Sequence, residues 1–109
     1  MTRRKILITA GAALGVLGAV TLAWAGGQAT VDQAKLQFSV MDLVVKKGST
    51  VTFRNLDRTS HNIQVSGGMS FDGGLQRPVQ DLDVLFAKGG DYTVTCGIHP
   101  KMLMRVHAK

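Results

Sequence analysis

Short runs of alternating apolar and polar residues, each stopped by a turn, fill the chain from Lys35 onward. Leu36, Phe38 and Val40 alternate with Gln37, Ser39 and Met41, and Leu43-Val44-Val45 follows. Lys47-Gly48 marks a turn before Val51 and Phe53, which alternate with Thr50, Thr52 and Arg54. Asn55-Leu56-Asp57 closes that run with turn chemistry. Ile63 and Val65 bracket Gln64, and Gly67-Gly68 ends them. Leu82, Val84 and Phe86 alternate again, and Lys88-Gly89-Gly90-Asp91 turns the chain into Tyr92, Val94 and Cys96. Residues 103–108 form a last run. A period of two is that of a strand with one buried face. Six or seven short strands at roughly ten-residue spacing, with no helical pattern after the N-terminal stretch, predict an all-β sandwich over residues 35–109. Residues 69–80, with Gly73, Gly74 and Pro78, read as a loop, and residues 26–34 as a polar, flexible lead-in.

The N-terminus has a different character. Thr2-Arg3-Arg4-Lys5 is followed by an Ala- and Gly-rich apolar stretch from Ile6 to about Leu22, then by Ala23-Trp24-Ala25 ahead of Gly26. That is the order of a secretory signal peptide, so residues 1–25 are expected to be cleaved near Ala25. Arg3-Arg4 with Ile6-Leu7 loosely resembles a twin-arginine signal. The apolar stretch is short for a membrane span. An uncleaved anchor is the other reading, and only then would the membrane be a partner. Either way the domain is extracytoplasmic, in the periplasm or outside.

Charge narrows the partners. The chain has 13 basic and 7 acidic residues, all the acidic ones aspartate. Setting aside Arg3, Arg4 and Lys5 leaves a mildly basic domain whose charges are scattered. No basic stripe or aromatic ladder accompanies them, so the sequence does not read as a nucleic-acid binder. A single cysteine, Cys96, excludes an internal disulfide.

Cys96 is followed by His99, Met102 and Met104 in Cys96-Gly97-Ile98-His99-Pro100-Lys101-Met102-Leu103-Met104. Thiolate, imidazole and thioether are soft ligands, and together they suit copper. A type 1 copper site takes two imidazoles and a thiolate, with a weak axial thioether. His61, 35 residues upstream of Cys96, follows the turn after Arg54 and stands at an end of the sandwich where loops gather. His107 reads as an exposed strand-end residue, and Tyr92 as a core or corner tyrosine rather than a redox relay. Met41 and Met69 read as ordinary fillers.

Two blocks resemble the cupredoxins, in particular the plastocyanin and amicyanin group. One is Lys47-Gly48-Ser49-Thr50-Val51-Thr52-Phe53-Arg54-Asn55 with His61-Asn62-Ile63. The other is Gly90-Asp91-Tyr92-Thr93-Val94-Thr95-Cys96-Gly97-Ile98-His99-Pro100-Lys101-Met102. The resemblance implies a Greek-key β-sandwich holding one type 1 copper through His61, Cys96, His99 and a methionine. Met102 gives the short loop of the amicyanin type. Met104 gives the longer spacing of plastocyanin. Arg105-Val106 matches in kind the Lys-Val that follows a ligand methionine when Met102 is that ligand, so Met102 is favoured and Met104 is the alternative. Met104 then stands where these proteins carry glycine. Asn62 is implied to tie the two ligand loops together beside the sulfur.

The function expected from this set is electron transport: a small monomeric carrier cycling between Cu(I) and Cu(II), not an enzyme. Redox protein partners are expected to dock near His99, on an apolar patch of Ile98, Pro100 and Leu75, with Lys101 adding charge steering. A copper chaperone or storage module is the alternative, hinted at by the Met102 and Met104 pair. A multicopper oxidase is unsupported, because the chain has no His-x-His pair. Zinc fits two imidazoles and a thiolate, but the methionine disfavours it.

Overall fold

The computed structural model describes residues 20–24 and 27–109, and among these every regular element is a strand. They are β1 (Val20–Trp24), β2 (Gln28–Ala34), β3 (Gln37–Phe38), β4 (Val40–Val45), β5 (Ser49–Asn55), β6 (Ile63–Gly67), β7 (Phe71–Asp72), β8 (Asp81–Phe86), β9 (Gly90–Cys96) and β10 (Leu103–Ala108). Six form a sheet in the order β1-β4-β10-β9-β6-β7, and four form a second in the order β3-β2-β5-β8. Both sheets are mixed. β4 runs parallel to β1 and β10, and β2 parallel to β5, while the remaining neighbours are antiparallel. Among the described residues, no helix is long and apolar enough to cross a membrane.

Alternation sets the core. Val31 of β2, Val51 and Phe53 of β5, and Val84 and Phe86 of β8 face Leu43 of β4, Ile63 of β6, Val94 of β9 and Val106 of β10, all at most 2% exposed. Burying an aliphatic or aromatic side chain of this size stabilises the fold by about 1.5–3 kcal/mol. Phe86 meets the Tyr92 ring edge-to-face with centroids 4.9 Å apart, and Tyr92 Oη donates to the Lys88 carbonyl at 2.6 Å. Tyr92 is thus the corner tyrosine that the sequence suggests.

Three expectations change. Most of the expected flexible lead-in at 26–34 is a strand, because Gln28–Ala34 is β2, hydrogen-bonded along β5 with Ala29, Val31 and Gln33 buried. Its inward residues include an alanine and a glutamine, so the hydrophobic signal is faint. Leu36, Phe38 and Val40 do not lie on one strand. Lys35 and Leu36 turn left-handed between β2 and β3, and at Ser39 the chain crosses to the other sheet. The Ser39 N–H donates to Asp32 O at 2.8 Å, and its hydroxyl accepts from Asp32 N–H at 2.9 Å. The predicted loop at 69–80 contains β7, paired with β6.

The expected signal peptide lies mostly outside the described residues. The part that is described, Val20–Trp24, runs along the outer edge of the six-stranded sheet beside β4.

Candidate metal centre

Cys96 is the last residue of β9 and pairs with Ile63, the first of β6. His61 is therefore two residues from a strand that lies directly beside the cysteine. Its backbone is fixed to Gln76 by two hydrogen bonds, His61 N–H to Gln76 O at 2.9 Å and Gln76 N–H to His61 O at 2.8 Å. The loop ahead of it folds on Asn55, whose Oδ1 accepts from Asp57 N–H and whose Nδ2 donates to Thr59 O and Gln76 O. On the other side of Cys96, residues 97–102 return to β10, and Met102 N–H donates to His99 O at 2.9 Å.

These frames bring three donor atoms together. Cys96 Sγ is 3.5 Å from His61 Nδ1 and 3.6 Å from His99 Nδ1, and the two nitrogens are 3.3 Å apart. A point equidistant from the three lies about 2.0 Å from each, the length of an imidazole–metal bond at about 2.0–2.1 Å. Facing imidazole lone pairs and a sulfur repel one another unless a cation or a proton lies between them, so the donor set fits a metal ion. His61 and Cys96 are buried and His99 is half-buried.

Met102 is 2% exposed. The β9 and β10 register pairs Leu103 with Thr95 and Met104 with Val94. Continued by one residue, it sets Met102 opposite Cys96. Met104 lies two register positions further along, in the core beside Val94. Met41 is exposed and Met69 packs against the core.

The side chains around the donors fix their state. His61 Nε2 donates to Asp57 Oδ2 at 2.8 Å, which leaves Nδ1 as the free lone pair. Burial works to raise the Asp57 carboxyl, but hydrogen bonds from His61 and from the Leu36 and Lys35 amides hold it below the usual carboxylate range. Cys96 Sγ accepts N–H bonds from Asn62 at 3.3 Å and His99 at 3.4 Å. Asn62 does join the two ligand loops, but with its backbone: its carbonyl also accepts from Gly97 N–H at 2.8 Å. Its side chain donates to Asp72 Oδ1 and Gly74 O and accepts from Gln64 Nε2. Gly97 is the residue that lets these loops close, since a Cβ there would strike Asn62 Oδ1 and Gln64 Nε2.

Sequence reasoning missed Asp57 and Gln76. Asp57 sits four residues before His61, a spacing that could have drawn attention to it. Gln76 carries no signal. It lies among glycines and a proline, yet it is 4% exposed, donates to Phe53 O and Gln80 O, and accepts from Gln33. His107 is not simply exposed. Nδ1 donates to Asp91 at 2.8 Å and Nε2 to Asp42 at 2.9 Å, and these carboxylates raise it above the ordinary histidine range.

The chain is similar to known proteins. Amicyanin-alpha from Methylorubrum extorquens is 33% identical over 102 residues, covering 90% of this chain and 85% of that protein. Amicyanin from Paracoccus denitrificans is 33% identical over 86 residues, 75% of this chain and 66% of that protein. A solved Cu(I) amicyanin variant superimposes with a TM-score of 0.70 at 29% identity, over 76% of this chain and 83% of that one. The model of copper binding proteins of the plastocyanin/azurin family matches residues 25–108. With that match over most of its length, and with two imidazoles and a thiolate converging on one point, the chain belongs to the plastocyanin/azurin family of copper-binding proteins.

Proposed function

We propose that the protein is a small blue copper electron carrier whose copper is held by His61, Cys96 and His99, with Met102 as the weak axial ligand. The observation that carries this reading is the triangle of Nδ1, Sγ and Nδ1 atoms with sides of 3.3–3.6 Å. Bound copper supplies the one-electron exchange between Cu(I) and Cu(II). The chain supplies a frame that is set before the metal arrives. Asp57 and Gln76 hold His61, two amides hold the Cys96 sulfur, and the Met102-to-His99 bond closes the loop. Ligands held this way move little when the charge on the metal changes, so reorganisation stays small.

His99 is the donor nearest solvent and the port for electrons. Ile98 at 46% and Leu75 at 58% exposed, with exposed Pro100, supply an apolar rim on which a redox partner docks. Lys101 beside them steers an acidic partner surface. Transport rather than turnover of a substrate is the role, and the carrier acts as a monomer. Residues 1–25 direct export and are then removed, which takes β1 away and leaves β4 at the edge of its sheet. Met104 is paired with Val94 rather than with the cysteine, which supports one methionine donor over a methionine pair and so a carrier over a storage module.

Absorption and electron paramagnetic resonance spectra of the copper-loaded protein test this reading. An intense visible thiolate-to-copper band is expected, absent in Cys96→Ser. A colourless wild-type copper form would overturn it.

A further inference from the structure

The turn between β2 and β3 is made by residues that disfavour it. Lys35 and Leu36 hold φ of 55° and 58°. Two-residue turns with both central residues left-handed are ordinarily built from Asn-Gly or Asp-Gly. A non-glycine residue in that region is strained. Both side chains are exposed, so their packing does not offset the strain. What the conformation does is aim two successive amides at one carboxylate. Lys35 N–H donates to Asp57 Oδ1 at 2.6 Å and Leu36 N–H to Asp57 Oδ2 at 3.1 Å. Successive amides in a turn form a hollow that binds anions, and here the anion is a side chain from more than twenty residues further along.

That carboxylate is the one that accepts His61 Nε2–H, through the same Oδ2 that Leu36 reaches. Held at both oxygens, it cannot rotate about its own bonds to follow the ring. The ring must instead align with the carboxylate, and Nδ1 is aimed as a result. His61 is 0% exposed and its other nitrogen faces the metal site, so Asp57 alone shields and orients Nε2–H.

We propose that the turn at Lys35 and Leu36 is a positioning element of the metal centre, fixing through Asp57 the tautomer and angle of the His61 ring. The inference rests on the reading of His61 as a ligand. It also accounts for a strained turn at a place where a hairpin alone needs none.

A double-mutant cycle tests it on the full chain, with Cu(I) affinity and the His61 Nε2–H signal in nitrogen-15 NMR of the diamagnetic Cu(I) form as readouts. Leu36→Pro removes one amide and the left-handed turn, and Asp57→Ala removes the carboxylate. Each alone is expected to lower Cu(I) affinity about 10-fold and to expose Nε2–H to solvent exchange. The pair together should be no worse than Asp57→Ala alone. Lys35→Asn with Leu36→Gly, which keeps both amides in a turn they suit, should match wild type. A glycine inserted between residues 35 and 36 repeats the test if Leu36→Pro does not fold. Turn variants that fold with unchanged affinity and unchanged Nε2–H exchange would overturn the proposal, as would effects that simply add to those of Asp57→Ala. His61→Ala separates the two layers. If it binds copper like wild type, the ligand reading falls. If it loses copper while the cycle is additive, only the role of the turn falls.

Discussion

His61 and His107 are both bonded to aspartate, and they end up as opposites. His61 is buried, gives one nitrogen to Asp57 and keeps the other free, facing Cys96 and His99. His107 lies on the outer face of the six-stranded sheet and gives both nitrogens away, to Asp42 of β4 and Asp91 of β9. A ring with two carboxylate partners donates twice and is held as the cation, and it has no lone pair for a metal. The number of acceptors around an imidazole therefore separates a ligand from a strand pin, more sharply than exposure or sequence position does.

The largest effect should come from exchanging the two histidines' fates. His61→Ala is expected to abolish the visible copper band, whereas His107→Ala should leave it intact, as titration with copper would record. A lost band in the second variant would break the comparison. Next in size is the methionine pair. Met102→Leu should shift the copper spectrum and the potential, while Met104→Leu should leave both alone and cost less than about 1.5 kcal/mol in urea unfolding, being a volume-conserving core change.

The remaining predictions concern stability. Gln76→Ala removes three side-chain hydrogen bonds, two of them buried, at about 1 kcal/mol each, and a loss of about 2–3 kcal/mol is expected in urea unfolding of the metal-free protein. The smallest effect is that of the pin. His107 is raised above its unfolded value of about 6.5, through Asp42 first and then Asp91. Its contribution is complete below that value and fades as pH rises through the folded value. His107→Gln should thus cost about 1 kcal/mol near pH 6, solvent screening included, and less near pH 9. An equal cost at both pH values would show that His107 is not held as the cation.

The sequence made the centre more legible than the frame. Cys96, His99 and Met102 fall on one loop, so their chemistry is visible in a single window, and His61 can be recognised beside them. Asp57 and Gln76 escape that reading because their roles exist only once the two sheets are packed. Periodicity located β5, β8, β9 and β10, where inward residues are large. It failed at β2, whose inward positions include Ala29 and Gln33, and at Leu36, whose alternation with Phe38 spans a turn and whose backbone answers to Asp57 rather than to propensity.

The short return from Cys96 to Met102 has a consequence for the denatured chain. Three of the four proposed donors lie within seven residues, so an unfolded molecule retains much of the copper site and can still capture the ion. Binding to the unfolded state subtracts from the stabilisation that a metal gives the native one. The preference for the folded form must then come from His61, the one donor whose arrival requires β6 to lie against β9. Copper added to a refolding solution should accordingly be a weak guide to folding and a strict reporter of its last step.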